Sequence, residues 1–278
     1  MRATGDDRFW PLQAWKAGLM GRARPYVDHC IESMALDQDG ADPELTVLMR
    51  DVGADIIADG HAPIPAEQET MLLTAMAELN TSLLGWRDDI GLMSMRQRLL
   101  MLSPANLADE LGSSGPVPGP VAAADEGWRR LGTVDPELAR LLGEVHADPE
   151  RLVQGLRGTP SGFVHGDWKM GNLGVRADGE VLLLDWSFLG QAPLAWDICW
   201  YLALNRERLA AEKEQTLDQF RRLVEASGVR TGNWWEDQVA LCLVGVMSVF
   251  GWEKALGDID ELAWWSRRCL AVAGRLRS

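Results

Sequence analysis

Gly162-Phe163-Val164-His165-Gly166-Asp167-Trp168-Lys169-Met170-Gly171-Asn172, followed by Val181-Leu182-Leu183-Leu184-Asp185-Trp186, decides how this 278-residue chain reads. Two apolar runs, Gly162–Val164 and Val181–Leu184, have the composition of short strands. Each delivers an acidic residue at its end: Asp167 after the first, Asp185 closing the second, with Asn172 between them. Carboxylate and amide oxygens are hard donors that suit Mg²⁺, and a carboxylate beside a hydroxyl can take its proton.

An Asp, four residues, an Asn, and then an Asp at the end of an apolar strand is the spacing used for phosphoryl transfer. His165-Gly166-Asp167-Trp168-Lys169-Met170-Gly171-Asn172 resembles the His-Gly-Asp-x-x-x-x-Asn catalytic loop of the aminoglycoside phosphotransferase / choline kinase family. Leu183-Leu184-Asp185-Trp186 resembles that family's metal-binding segment, and Pro193-Leu194-Ala195-Trp196-Asp197-Ile198 its Pro-x-x-x-Asp-Leu stretch. The resemblance covers residues 44–278. It implies an α+β, protein-kinase-like fold of two lobes, a reduced nucleotide lobe at residues 1–53 and a mainly helical lobe at 54–278. It also implies transfer of a phosphoryl group from ATP or GTP, with Mg²⁺, to a small-molecule hydroxyl: an aminoglycoside-like antibiotic, amino alcohol, sugar or related metabolite.

The resemblance assigns roles residue by residue. Asp167 becomes the base, Asn172 and Asp185 the Mg²⁺ ligands, and Met49-Arg50-Asp51-Val52 the hinge whose backbone meets the nucleotide base. Lys169 stands two residues after Asp167, where protein kinases place a lysine that touches the transferred group; a solvated loop lysine is the plainer alternative. His165 is grouped with the catalytic residues, although a histidine in such a loop more often supports the Asp. Asp197 would accept backbone hydrogen bonds near His165 and Gly166, or else cap the helix it begins.

Composition narrows the setting. A net charge of −14 argues against nucleic acid or an anionic membrane as partner. The four cysteines, Cys30, Cys199, Cys242 and Cys269, are widely spaced and read as buried thiols of a reducing cytoplasm. The acidic start offers no secretory signal. The apolar stretch Val239–Trp252 is too short to span a bilayer and reads as a buried helix.

Along the chain, helices are expected at Pro11–Met20, Pro65–Leu84, Leu92–Leu102, Asp135–His146 and Pro149–Arg157. Tyr26–Leu36 and Leu45–Val52 read as strands joined through Asp37-Gln38-Asp39-Gly40, and Gly112–Pro120 as a surface loop. After Asp185 the expectation is all helix: Trp196–Asn205, Arg208–Ala226, Trp234–Gly251 and Asp260–Leu276. Trp200, Trp234, Trp235, Glu236, Asp237, Trp252 and Glu253 mix tryptophan faces with carboxylates, which would suit a cationic or sugar-like substrate; helix packing is the ordinary use of such tryptophans.

The departure from the family lies upstream. The only lysines are Lys16, Lys169, Lys213 and Lys254, and no Gly-rich hairpin or strand lysine precedes Met49. A truncated chain, a lobe completed by a partner, or a kinase-like binding protein without turnover would each account for this. A bare Tyr26–Leu36 edge also leads us to expect strand-mediated homodimerisation. A metal-dependent hydrolase using His165, Asp167 and Asp185 as ligands is a third chemistry, without a supporting histidine cluster.

Overall fold

Pro11 and Gly18 shape the first elements of the computed structural model, which describes residues 9–37, 43–112 and 119–277. Pro11 sits in the first turn of helix α1 (Trp10–Lys16), where a missing N–H costs nothing. The helix expected over Pro11–Met20 breaks there, because Gly18 takes a φ of 75° and starts helix α2 (Leu19–Ala23).

Strand β1 (Ile31–Asp37) pairs antiparallel with β2 (Glu44–Met49), with Met34 opposite Val47 and Leu36 opposite Leu45. Both strands are shorter than composition implied. Val27 still closes a turn on Ala23, and Asp28 instead makes an isolated parallel bridge to Leu182. The turn expected at Asp37-Gln38-Asp39-Gly40 and most of the Gly112–Pro120 loop fall outside the described residues. Val47, Leu48 and Met49 are exposed, and no third strand joins this sheet among the described residues.

The elements that follow are α3 (Ala66–Ser82), α4 (Met95–Leu100), α5 (Pro104–Leu111), α6 (Gly119–Val134), α7 (Pro136–Ala147), α8 (Glu150–Arg157), β3 (Ser161–Val164), β4 (Leu173–Val175), β5 (Val181–Leu183), β6 (Gly190–Pro193), α9 (Trp196–Leu204), α10 (Lys213–Ala226), α11 (Trp235–Leu256), α12 (Ile259–Leu270) and α13 (Ala273–Arg277). β6 corrects the all-helical expectation after Asp185. Its Gly-Gln-Ala-Pro sequence has no strand signature, and it exists because it pairs with β3. The span Leu92–Leu102 shrinks to α4, whose start is set by a Ser94–Gln97 capping box.

Two compact units result, and they do not divide at residue 53. One holds residues 9–93 with Ser161–Gly232, so the β1–β2 hairpin belongs with the strands that carry Asp167 and Asp185. Two strands cannot bury a core of their own. Here Cys30 and Val52 pack with Leu182, and Ile56 and Leu184 lean on the same cluster. In this unit Trp10 Nε1 donates to the Gly91 carbonyl at 3.1 Å, and Tyr201 OH donates to buried Glu69 at 3.1 Å.

The other unit holds Ser94–Pro160 and the chain from Asn233 onward. Its centre is α11, which at 22 residues is longer than Val239–Trp252 implied. Among the described residues it is the one helix long and apolar enough to cross a membrane, and 78% of its most apolar window is buried. His146 Nε2 donates to the Ser248 carbonyl at 2.8 Å and Trp128 Nε1 to that of Leu102 at 2.7 Å, satisfying polar atoms around it.

Gly162 shows how tightly β3 is seated. A Cβ there would stand 2.4 Å from the Leu83 carbonyl oxygen and 2.9 Å from Leu84 Cα, both backbone atoms. We expect Gly162→Ala to destabilise the fold by about 1–3 kcal/mol through overpacking, read as a lower urea midpoint at unchanged slope.

Candidate active site

Two short sheets deliver the site. β3 pairs with β6 and runs into the loop that begins at His165, while β4 pairs with β5, whose end leads to Asp185. Asn172, in a single 3₁₀ turn before β4, joins the two: its carbonyl accepts the Leu184 N–H at 2.8 Å beyond β5, and its Nδ2 donates to the Asp167 carbonyl at 3.0 Å in the loop after β3.

Asp197 organises the loop. Its carboxylate accepts from His165 N at 3.2 Å, Gly166 N at 2.9 Å and Trp168 Nε1 at 3.1 Å. Gly166 has a φ of 86°, a left-handed turn that glycine adopts without strain. Asn205 finishes the work from the end of α9, accepting Met170 N at 2.8 Å and donating to the Trp168 carbonyl at 3.0 Å.

His165 is fully buried, and both ring nitrogens meet backbone groups. Nδ1 accepts the Asp167 N–H at 3.1 Å, so Nε2 carries the proton and donates to the Leu184 carbonyl at 3.1 Å. This corrects its place among the catalytic residues: it ties the loop to the strand before Asp185 and has no nitrogen left for proton transfer or metal. The hydrolase chemistry loses its histidine ligand for the same reason. Among the described residues no group of three or more His, Cys, Asp or Glu could hold a metal.

Asp167 is 1% exposed, and its carboxylate faces donors. Oδ1 accepts Trp200 Nε1 at 3.0 Å; Oδ2 accepts Asn172 Nδ2 at 2.8 Å and pairs with Lys169 Nζ at 2.8 Å. Lys169 also lies 3.8 Å from Asp185 Oδ2. Asp185 has a φ of 57°, uncommon for a residue with a side chain, and its side chain is 42% exposed with Ser187 Oγ donating to Oδ1 at 2.6 Å. Asp167, Lys169, Asn172 and Asp185 therefore form one cluster, with two carboxylates against a single ammonium.

Trp200 needs correction as a substrate residue. It is 2% exposed, packed against Trp196 and Phe188, and its polar edge is used on Asp167. The other tryptophans and carboxylates expected at the substrate belong to the second unit. There Trp235 is buried against Trp234, Asp237 pairs with Arg275, and Glu253 pairs with Lys254 at 2.7 Å. Glu236 is exposed in the first turn of α11, and Trp252 is half-buried.

At the hinge, Met49 ends β2, Arg50 N donates to the Cys30 carbonyl at 2.9 Å, and Asp51 accepts Gly53 N at 3.1 Å. The Arg50 side chain leaves the hinge altogether and meets Asp28 and Glu32. Asp28, unnoticed in the sequence, is fully buried. Burial pushes its carboxyl up, but the Arg50 hydrogen bond, the Cys30 N–H and Arg24 outweigh this and hold it below the usual carboxylate range. Beside it, burial raises the Cys30 thiol to about 11 and lowers His29 below the ordinary imidazole value.

Set against known proteins, residues 29–229 match the model of the APH phosphotransferase enzyme family. No curated protein sequence matches the chain. Among solved structures, choline kinase LicA from Streptococcus pneumoniae aligns at 11% identity over 96% of this chain and 80% of its own, with a TM-score of 0.47. LicA in complex with AMP aligns at 11% identity over 98% and 81%, with a TM-score of 0.50. A thermostable aminoglycoside phosphotransferase APH(4)-Ia, in ternary complex with ADP and hygromycin B, aligns at 14% identity over 92% and 81%, with a TM-score of 0.46. The fold is thus the α+β kinase-like one, and on a match spanning most of its length the chain belongs to the phosphotransferase enzyme family.

Proposed function

We propose that this protein transfers a phosphoryl group from ATP or GTP, with Mg²⁺, to a hydroxyl of a small molecule. The observation that carries the reading is the convergence of Asp167, Asn172 and Asp185 around Lys169 from two separate sheets. Nucleotide complexes among the similar structures, with AMP for LicA and ADP for APH(4)-Ia, support a nucleotide as donor.

The donor set fits Mg²⁺. Asn172 commits its Nδ2 to Asp167, so its hard Oδ1 is the atom left for a cation, and the half-exposed Asp185 supplies a carboxylate. One or two protein ligands with substrate phosphates are what Mg²⁺ ordinarily takes, and when bound it would neutralise charge on the transferring group. Asp167 would orient the accepting hydroxyl and take its proton as the new P–O bond forms and the bond to the nucleoside diphosphate breaks. Trp200 and Asn172 would hold its carboxylate in place. The partly buried Ile56 and Leu184, backed by Val52 and Leu182, would meet the face of the nucleotide base beside the hinge.

A second reading, a nucleotide-binding protein without turnover, is favoured by one observation: the β1–β2 hairpin contributes no lysine, and Lys16 on α1 is exposed. Mg²⁺ with ATP, and separately GTP, at about 100 times its dissociation constant should add roughly 2.7 kcal/mol of stability in a thermal melt. Asp185→Ala should erase most of that gain. No shift in the parent protein with either nucleotide would sink both readings. If a shift appears, release of ADP or GDP across a panel of hydroxyl compounds separates turnover from binding alone.

A further inference from the structure

Lys169 reaches two carboxylates at once. Its Nζ is 2.8 Å from Asp167 Oδ2 and 3.8 Å from Asp185 Oδ2, while Asn172 Nδ2 takes the same Asp167 oxygen at 2.8 Å. A carboxylate oxygen offers two lone pairs, so Asp167 Oδ2 is fully engaged as long as the ammonium stays. The remaining oxygen, Oδ1, already accepts Trp200 Nε1. A hydroxyl seeking Asp167, and a divalent cation seeking Asp185, both meet the ammonium first. Its side chain is 40% exposed, so nothing buries it in that position and a stronger anion can draw it away.

We propose that Lys169 is a built-in counter-cation that guards the metal and hydroxyl positions until the phosphates of a nucleotide attract it. This rests on the phosphotransferase reading above and adds an order of events to it. Metal alone binds poorly, because the ammonium already neutralises one of the two carboxylates. Nucleotide and metal strengthen each other's binding, since the phosphates remove the ammonium and the metal offsets the phosphates; by linkage the effect is the same in both directions. A hydroxyl that seeks Asp167 Oδ2, the oxygen the ammonium shares with Asn172, gains it once the lysine has moved.

The test uses Mn²⁺ as a spectroscopically visible stand-in for Mg²⁺, titrated into the full chain and read as loss of the free-ion electron paramagnetic resonance signal. Without nucleotide, Lys169→Met should bind Mn²⁺ about tenfold more tightly than the parent, the order expected from removing one charge about 4 Å away in a largely solvated site. Lys169→Arg keeps the charge and should bind as weakly as the parent. With saturating ADP the advantage of Lys169→Met should disappear, because the parent lysine has moved to the phosphates. Equal Mn²⁺ affinity in parent and Lys169→Met without nucleotide overturns the proposal. Lys169→Met/Asp185→Ala should lose the tightened binding; if it does not, the cation is not at Asp185 and the proposal fails. Tightening in Lys169→Met without any nucleotide-induced thermal shift in the parent would overturn the release by phosphates together with the phosphotransferase reading, whereas equal affinities beside a clear thermal shift overturn the proposal alone.

Discussion

Asp167→Asn should lower turnover by about 10²–10⁴-fold, the usual contribution of a positioned base. The geometry adds a cost in stability. Donors surround this carboxylate: Trp200 Nε1 on Oδ1, Asn172 Nδ2 and Lys169 Nζ on Oδ2. An asparagine has to turn its NH₂ toward one side or the other, so a donor meets a donor whichever way it sits. Leaving one buried polar group unpaired costs about 1–3 kcal/mol, so a modest loss of stability should accompany the loss of activity. The two effects can be separated. Asp167→Asn/Trp200→Phe removes the clash on the Oδ1 side, allowing the NH₂ to face the phenyl ring. It should recover none of the turnover whatever its stability, measured by urea denaturation and by ADP release with a hydroxyl substrate from the panel. A double variant that recovers turnover would show Asp167 to be structural.

The loop that carries Asp167 was legible because its pattern is local. Asp167, Asn172 and Asp185 lie within nineteen positions, each beside a short apolar run, and spacing alone relates them. Long periodic helices such as α3 and α10 were legible for the same reason, and α3 buries Leu72, Leu73 and Met76. What escaped depends on partners distant in sequence. β6 is a strand only because β3 lies beside it, Asn205 looks like any helix terminus until Met170 and Trp168 are placed on it, and the two compact units interleave along the chain. Trp200 was singled out for its ring, whereas its indole N–H is what reaches the site.

Asp28→Ala should be the most damaging substitution outside the Asp167 loop. Val27 and Cys30 bury the apolar side of the segment before β1, and Asp28 supplies its polar attachment twice over. Its backbone donates to the Val181 carbonyl at 2.8 Å and accepts Leu183 N at 3.0 Å, while its side chain collects Arg24 at 2.9 Å, Arg176 at 3.7 Å, the Arg50 guanidinium and the Cys30 N–H. Alanine keeps the backbone pair and abandons three guanidinium groups around an empty centre. Breaking a buried ion pair from one side costs about 3–5 kcal/mol, and the lower end applies because Arg24, Arg50 and Arg176 each keep 28–44% of their side chains in water. The pH dependence gives an independent check with a definite sign. With its native pKa held below the unfolded value of about 3.9, Asp28 contributes stability that is complete above that pH and is lost as acidification passes through the native pKa. The parent protein should therefore lose stability over that acidic window more steeply than Asp28→Ala, and the gap between the two urea midpoints should close as the pH falls. A gap that stays constant with pH would mean the carboxylate is not the anchor of the hairpin segment, leaving the backbone pairs with Val181 and Leu183 to hold it.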